Sequence, residues 1–135
     1  AVLTPKQKEL FGEQLKDSLA IATESGKDAS FEFCDLNGDE MPELIVSEGT
    51  SDSDSCKIYY ISNNSLLELD GSYGYNGKLY FDNEQLVFYA IGDGSNNACW
   101  SLTNNNISSF NVSRSHMEVG RKYLLTEESI TTSMS

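Results

Sequence analysis

Apolar residues recur along the first part of the chain with the period of a helix. Phe11, Leu15, Leu19 and Ala22 follow one another at spacings of four, four and three, with Leu10 alongside, so one stripe faces a core. Thr4, Pro5 and Gln7 read as a start signal: a capping hydroxyl, a proline suited to the first helical position, and a glutamine where a capping box needs it. Gly26 is a natural stop. The pattern predicts an amphipathic helix over residues 4–25, in which Gly12 costs about 1 kcal/mol against alanine. Beyond Gly26 the period falls to two. Strands are expected at 30–34, 43–48, 56–62, 65–70, 77–82, 85–91, 97–102 and 107–113, with turn clusters between them such as Asn63-Asn64 and Asn104 to Asn106. Loops this short predict antiparallel neighbours. The expected fold is α+β, one domain over 1–135, with the N-terminal helix packed on an antiparallel β-meander of about seven to eight strands spanning about 30–113. Residues 114–135 are expected to be irregular or short-helical, with Thr126, Glu127 and Glu128 as a helix opening.

Composition agrees with many short strands joined by turns, since Gly, Ser and Asn fill 40 of 135 positions. No apolar run approaches the ~18 residues of a membrane-spanning helix, so no membrane insertion is expected. Nine Lys and Arg stand against 21 Asp and Glu, a net charge of −12, which argues against nucleic acid as a partner because phosphates are repelled. The charge is also unevenly placed. Residues 31–70 hold ten acids and one base, so nine of the twelve surplus negative charges fall in that stretch. Acids crowded in this way repel one another and relax when a cation sits among them.

The segment Phe31 to Glu48, FEFCDLNGDEMPELIVSE, gives that cation a place. Asp35, Asn37 and Asp39 alternate, so a loop turning after Asp35 points three oxygen-bearing side chains inward. Ca²⁺ takes six to eight oxygens at about 2.3–2.6 Å, and this spacing supplies the first, third and fifth ligands of a calcium loop. The Met41 carbonyl stands at the seventh position and Glu43 at the ninth.

Asp35, Asn37, Gly38, Asp39, Pro42, Glu43 and Leu44, followed by Ile45-Val46, resemble the D-x-N-G-D-x-x-P-E-L calcium loop of dockerin modules, FG-GAP-type repeats and many cell-surface proteins of gut and rumen Firmicutes. The resemblance covers about residues 31–48 and implies Ca²⁺ as cofactor and an extracellular or cell-surface location. Two positions depart from the pattern. Glu40 stands sixth, where glycine is usual because the loop bends sharply, and Val46 stands twelfth, where helix-loop-helix sites place a bidentate glutamate. Glu43 then closes the shell, or acids of the next loop do, with Glu48, Asp52 and Asp54 the nearest.

Other constellations are weaker. Cys34, Cys56 and Cys99 are odd in number and lack C-x-x-C spacing, so they read as small buried hydrophobes, with a Cys34–Cys56 bridge as the alternative. His116 is the only histidine and no G-x-S-x-G elbow accompanies it. Tyr60, Phe81, Phe88 and Trp100 read as core, whereas Tyr73 and Tyr75, with Asn76 adjacent in DGSYGYNG, suit a stacking platform for a sugar ring. The expected function is a non-catalytic calcium-binding module acting in binding or adhesion, its partner a polysaccharide or another extracellular protein. The alternatives are a carbohydrate-binding module of a polysaccharide-degrading system and a small hydrolase whose catalytic pair the sequence does not single out.

Overall fold

The computed structural model describes residues 3–49, 54–74, 78–82, 86–91, 97–103, 105–109, 118–119 and 123–135. Helix α1 spans Pro5–Ser25 and starts as its sequence dictates: the Thr4 hydroxyl accepts from the Gln7 amide, and the Gln7 side chain accepts from the Thr4 amide. It ends at Gly26, whose φ of 66° lets its amide reach back to the carbonyls of Ala22 and Thr23. Among the described residues ten strands follow, β1 Ser30–Cys34, β2 Glu43–Ser47, β3 Cys56–Ser62, β4 Ser65–Glu68, β5 Tyr80–Asp82, β6 Val87–Ile91, β7 Asn97–Thr103, β8 Asn106–Ser109, β9 Glu118–Val119 and β10 Tyr123–Leu124, and then α2, Glu127–Met134.

All the pairings are antiparallel, and they form two sheets rather than one meander: β10-β1-β2-β3-β4 and β8-β7-β6-β5-β9. The chain leaves the first sheet after β4 and enters the second at β5. Within 114–135 the described residues add β9 to one sheet and β10 to the other, two short strands that the sequence pattern does not predict, and end in the short helix α2. The helix opening foreseen at Thr126 holds, its hydroxyl accepting from the Ser129 amide.

The pleat sorts side chains into layers. Phe31 pairs with Val46 and Leu44 with Tyr59, and these four join Phe11, Leu15 and Ala22 of α1 and Ile130 of α2 in one core. Phe11 meets Phe33 edge to face, ring centres 5.2 Å apart. The opposite face of the first sheet carries Ile45, Cys56 and Ile58, which share a second core with Phe88 and Leu102 of the second sheet, and with Phe81 and Trp100 packed against it. The order is therefore helices, sheet, sheet. Strand β2 lies at the centre and is buried along its whole length, in keeping with the three consecutive apolar residues Leu44, Ile45 and Val46 in place of an alternation.

Gly12 faces α2, where a Cβ would stand 3.4 Å from Met134 Cγ, an ordinary contact with the end of a flexible side chain. Gly12→Ala is therefore expected to stabilise the domain by about 0.5–1 kcal/mol through helix propensity. A denaturation midpoint below that of the wild type would show that the two helices need the closer approach.

Candidate metal centre

The β1–β2 hairpin frames the acidic loop, with Cys34 opposite Glu43 as the last pair before the chain turns through residues 35–42. Within the turn the acids organise the backbone. Asp35 accepts the Gly38 amide on Oδ1 and the Glu40 amide on Oδ2, each at 2.9 Å. Asp39 Oδ1 accepts the Met41 amide at 2.9 Å, and Asn37 Oδ1 the Asp39 amide at 3.2 Å. Such short-range bonds are what Asp and Asn offer a turn, and they leave further lone pairs on every oxygen.

Asp35, Asp39 and Glu43 converge, each offering a carboxylate oxygen so that all three atoms lie within 4.8 Å of one another. Two oxygens on one Ca²⁺ at about 2.3–2.6 Å stand at most about 5 Å apart, so the trio fits the coordination sphere of that ion. Among the described residues this is the one such cluster. Asn37 joins through its Nδ2, which donates to Asp39 Oδ2 at 3.3 Å, and Met41 belongs to the same turn through its amide.

Glu43 is the exceptional member. It is buried at 2% exposure on a strand whose neighbours are core, and its Oε1 accepts the buried Leu36 amide at 2.7 Å. Burial raises its pKa from the ordinary 4.5 to about 8, with the charges of Asp39 and Asp35 adding to the rise and the Leu36 amide opposing it. Glu43 therefore holds a proton near neutral pH when no cation is present, and a cation must displace it. Ca²⁺ affinity is expected to fall about tenfold per pH unit below 8, with release of one proton on binding, as calorimetry in buffers of different ionisation heat would read. For the metal-free chain the sign follows from the same shift. The native state keeps a proton between pH 4.5 and 8 that the unfolded chain has lost, so stability declines as pH rises through that window and levels off above it.

The sharp bend occurs despite the missing glycine. Glu40 takes φ 68° and Gly38 takes φ 75°, so the sixth position is left-handed with a glutamate in it. Glu40→Gly is expected to stabilise the loop by about 1 kcal/mol, read from the shift in melting temperature. Gly38 itself takes a φ of 75° that strains any side chain, and a Cβ there would stand 2.9 Å from Leu86 Cδ1, the tip of an exposed side chain in the turn that opens β6. That contact between the two sheets leaves no mark in the sequence, because it joins residues far apart along the chain.

Several expectations are corrected by the placement of side chains. Glu48 lies 3.0 Å from Lys57, and Asp54 lies 2.6 Å from Lys27, so both acids are engaged by lysines away from the trio; Asp52 lies outside the described residues. Cys34, Cys56 and Cys99 are in no disulfide, so the alternative of a Cys34–Cys56 bridge is set aside: the two sit on β1 and β3 with β2 between them. Burial, with Glu32, Glu43 and Asp35 close by, pushes the Cys34 thiol up to about 12, away from thiolate chemistry.

Tyr73 is no exposed platform. Its backbone bridges Cys56 and its side chain enters the layer between the sheets, 3% exposed. The ring meets Trp100 edge-on at 5.0 Å and Phe88 at 5.9 Å, and its hydroxyl donates to the Asp70 carbonyl. A ring enclosed on its faces has nothing to stack on a sugar. Tyr75, Asn76 and His116 lie outside the described residues. Among the described residues no helix is long and apolar enough to cross a membrane.

Compared with protein-family models, with curated proteins and with solved structures, the chain matches none.

Proposed function

We propose that this chain is a non-catalytic, calcium-stabilised binding module of an extracellular or cell-surface protein. The observation that carries the reading is the convergence of three carboxylates, from positions one, five and nine of a D-x-N-G-D-x-x-P-E-L loop, to within the span of one Ca²⁺ coordination sphere. Without a counter-ion the buried Glu43 is kept from ionising beside the charges of Asp39 and Asp35, and a cation would relieve that repulsion. Asn37 and the Met41 carbonyl complete the donor set that the loop spacing offers, and all of these donors are oxygens, the hard ligands that Ca²⁺ selects. The ion would neutralise the loop and hold the β1–β2 hairpin, leaving the exposed surfaces to a partner, whether protein or polysaccharide.

Calorimetric titration of the metal-free protein with Ca²⁺ and, separately, Mg²⁺ tests this. A single saturable site for Ca²⁺ is expected, with Mg²⁺ binding more weakly because it demands tight octahedral geometry. No heat and no change in melting temperature with Ca²⁺ would remove the reading.

A further inference from the structure

We propose that Asn37 is a site of spontaneous covalent modification whose rate is governed by the folded acidic loop. Asn37 is followed by Gly38, and an Asn-Gly step is the one most open to ring closure, because glycine places no side chain near the attacking nitrogen. In the reaction the Gly38 backbone nitrogen attacks Asn37 Cγ. A carbon–nitrogen bond forms, the bond from Cγ to Nδ2 breaks, and Nδ2 leaves as ammonia carrying the proton shed by Gly38. Water then opens the resulting succinimide at either carbonyl, giving aspartate or its isoaspartyl isomer at position 37. No oxidant, reductant or enzyme is required.

The fold restrains each participant. The Gly38 amide donates to Asp35 Oδ1 at 2.9 Å, so the nucleophile is turned toward a carboxylate and held protonated. Both ends of the Asn37 amide are engaged with Asp39, through the Asp39 amide at 3.2 Å and Oδ2 at 3.3 Å. Leu86 packs near Gly38, its Cδ1 2.9 Å from where a Cβ would stand. The left-handed φ of 75° at Gly38 completes the clamp. Ring closure must wait for the loop to open locally, so the conversion rate measures that opening. The products differ from asparagine in kind. Aspartate at 37 adds a fourth carboxylate beside Asp35, Asp39 and Glu43, while the isoaspartyl form lengthens the main chain by one carbon and breaks the alternate spacing of the loop.

The test follows the full chain during incubation at mildly alkaline pH, in buffer and in concentrated urea, with conversion at residue 37 read by peptide mass spectrometry and chromatography of the isomers. Asn37 is expected to convert in the native protein roughly tenfold or more slowly than in urea, and faster than wild type in Asp35→Ala and in Leu86→Ala. Circular dichroism establishes that each variant is folded, and Leu86→Ala decides alone if Asp35→Ala is not. Equal rates in buffer and urea, or folded variants that convert no faster than the wild type, would overturn the proposal. Only the consequence for a cation rests on the calcium reading: Ca²⁺ is then expected to slow conversion further. Failure of Ca²⁺ to bind the unmodified protein would sink that reading while leaving the comparison of rates intact.

Discussion

Ca²⁺ at about a hundred times its dissociation constant is expected to stabilise the domain by about 2.7 kcal/mol, raising the melting temperature by roughly 10 °C, with excess chelator reversing the shift. The size follows from mass action alone, because Asp35, Asp39 and Glu43 converge only in the folded hairpin and the unfolded chain offers the ion no such site. Two variants separate the metal from the scaffold. Asp39 is exposed, so Asp39→Ala should weaken Ca²⁺ by about tenfold or more while changing the metal-free melting temperature little. Glu43→Gln keeps an oxygen to accept the Leu36 amide and resembles the protonated acid already present below pH 8. It should therefore fold as well as the wild type without metal and lose most of the Ca²⁺ response. A full response in both variants would mean that the ion sits elsewhere.

Tyr73→Ala should cost about 3–5 kcal/mol, a large fraction of the ~5–15 kcal/mol that holds a domain of this kind together. The ring fills the space between the sheets against Phe88 and Trp100, and its removal leaves a cavity that the surrounding strands cannot close. Tyr73→Phe keeps the ring and gives up only the hydroxyl bond to the Asp70 carbonyl, so its cost should be about 1 kcal/mol. Urea denaturation measures both. A Tyr73→Ala protein within about 0.5 kcal/mol of the wild type would place the ring outside the core, and with it the division of the fold into two sheets.

Much of this architecture is written in local pattern. The α1 stripe, its capping box and Gly26 are contacts among residues three or four apart, and strands β1 to β6 lie within the segments that alternation and turn residues mark out, with β7 and β8 each passing theirs by one residue. The acidic loop is legible for the same reason, since Asp35, Asp39 and Glu43, the three carboxylates that converge, fall within nine residues of the chain. What the pattern does not carry is pairing at a distance. Strands β9 and β10 are two residues each, too short for any periodicity, and exist only because β5 and β1 offer open edges. Tyr73 shows the same gap from the other side: a tyrosine among glycines looks like a loop ring, and only its backbone bridge to Cys56 turns it inward. The burial of Glu43 was likewise hidden, because it depends on the second sheet covering the face on which Cys34 and Glu43 pair.

The return of the chain to β1 through β10, with α2 then lying on α1, has a mechanical consequence. The two ends of the described chain meet, Lys8 Nζ donating to the Ser135 carbonyl at 3.2 Å. A tension applied through those ends is expected to peel α2 off α1 and then to unzip β10 from β1, a pairing of two residues, while the longer pairings among β1 to β4 remain joined. Under load the domain should therefore yield at low force in a first step and keep its acidic hairpin through it, behaving as a small extensible spring in series with a stiffer core.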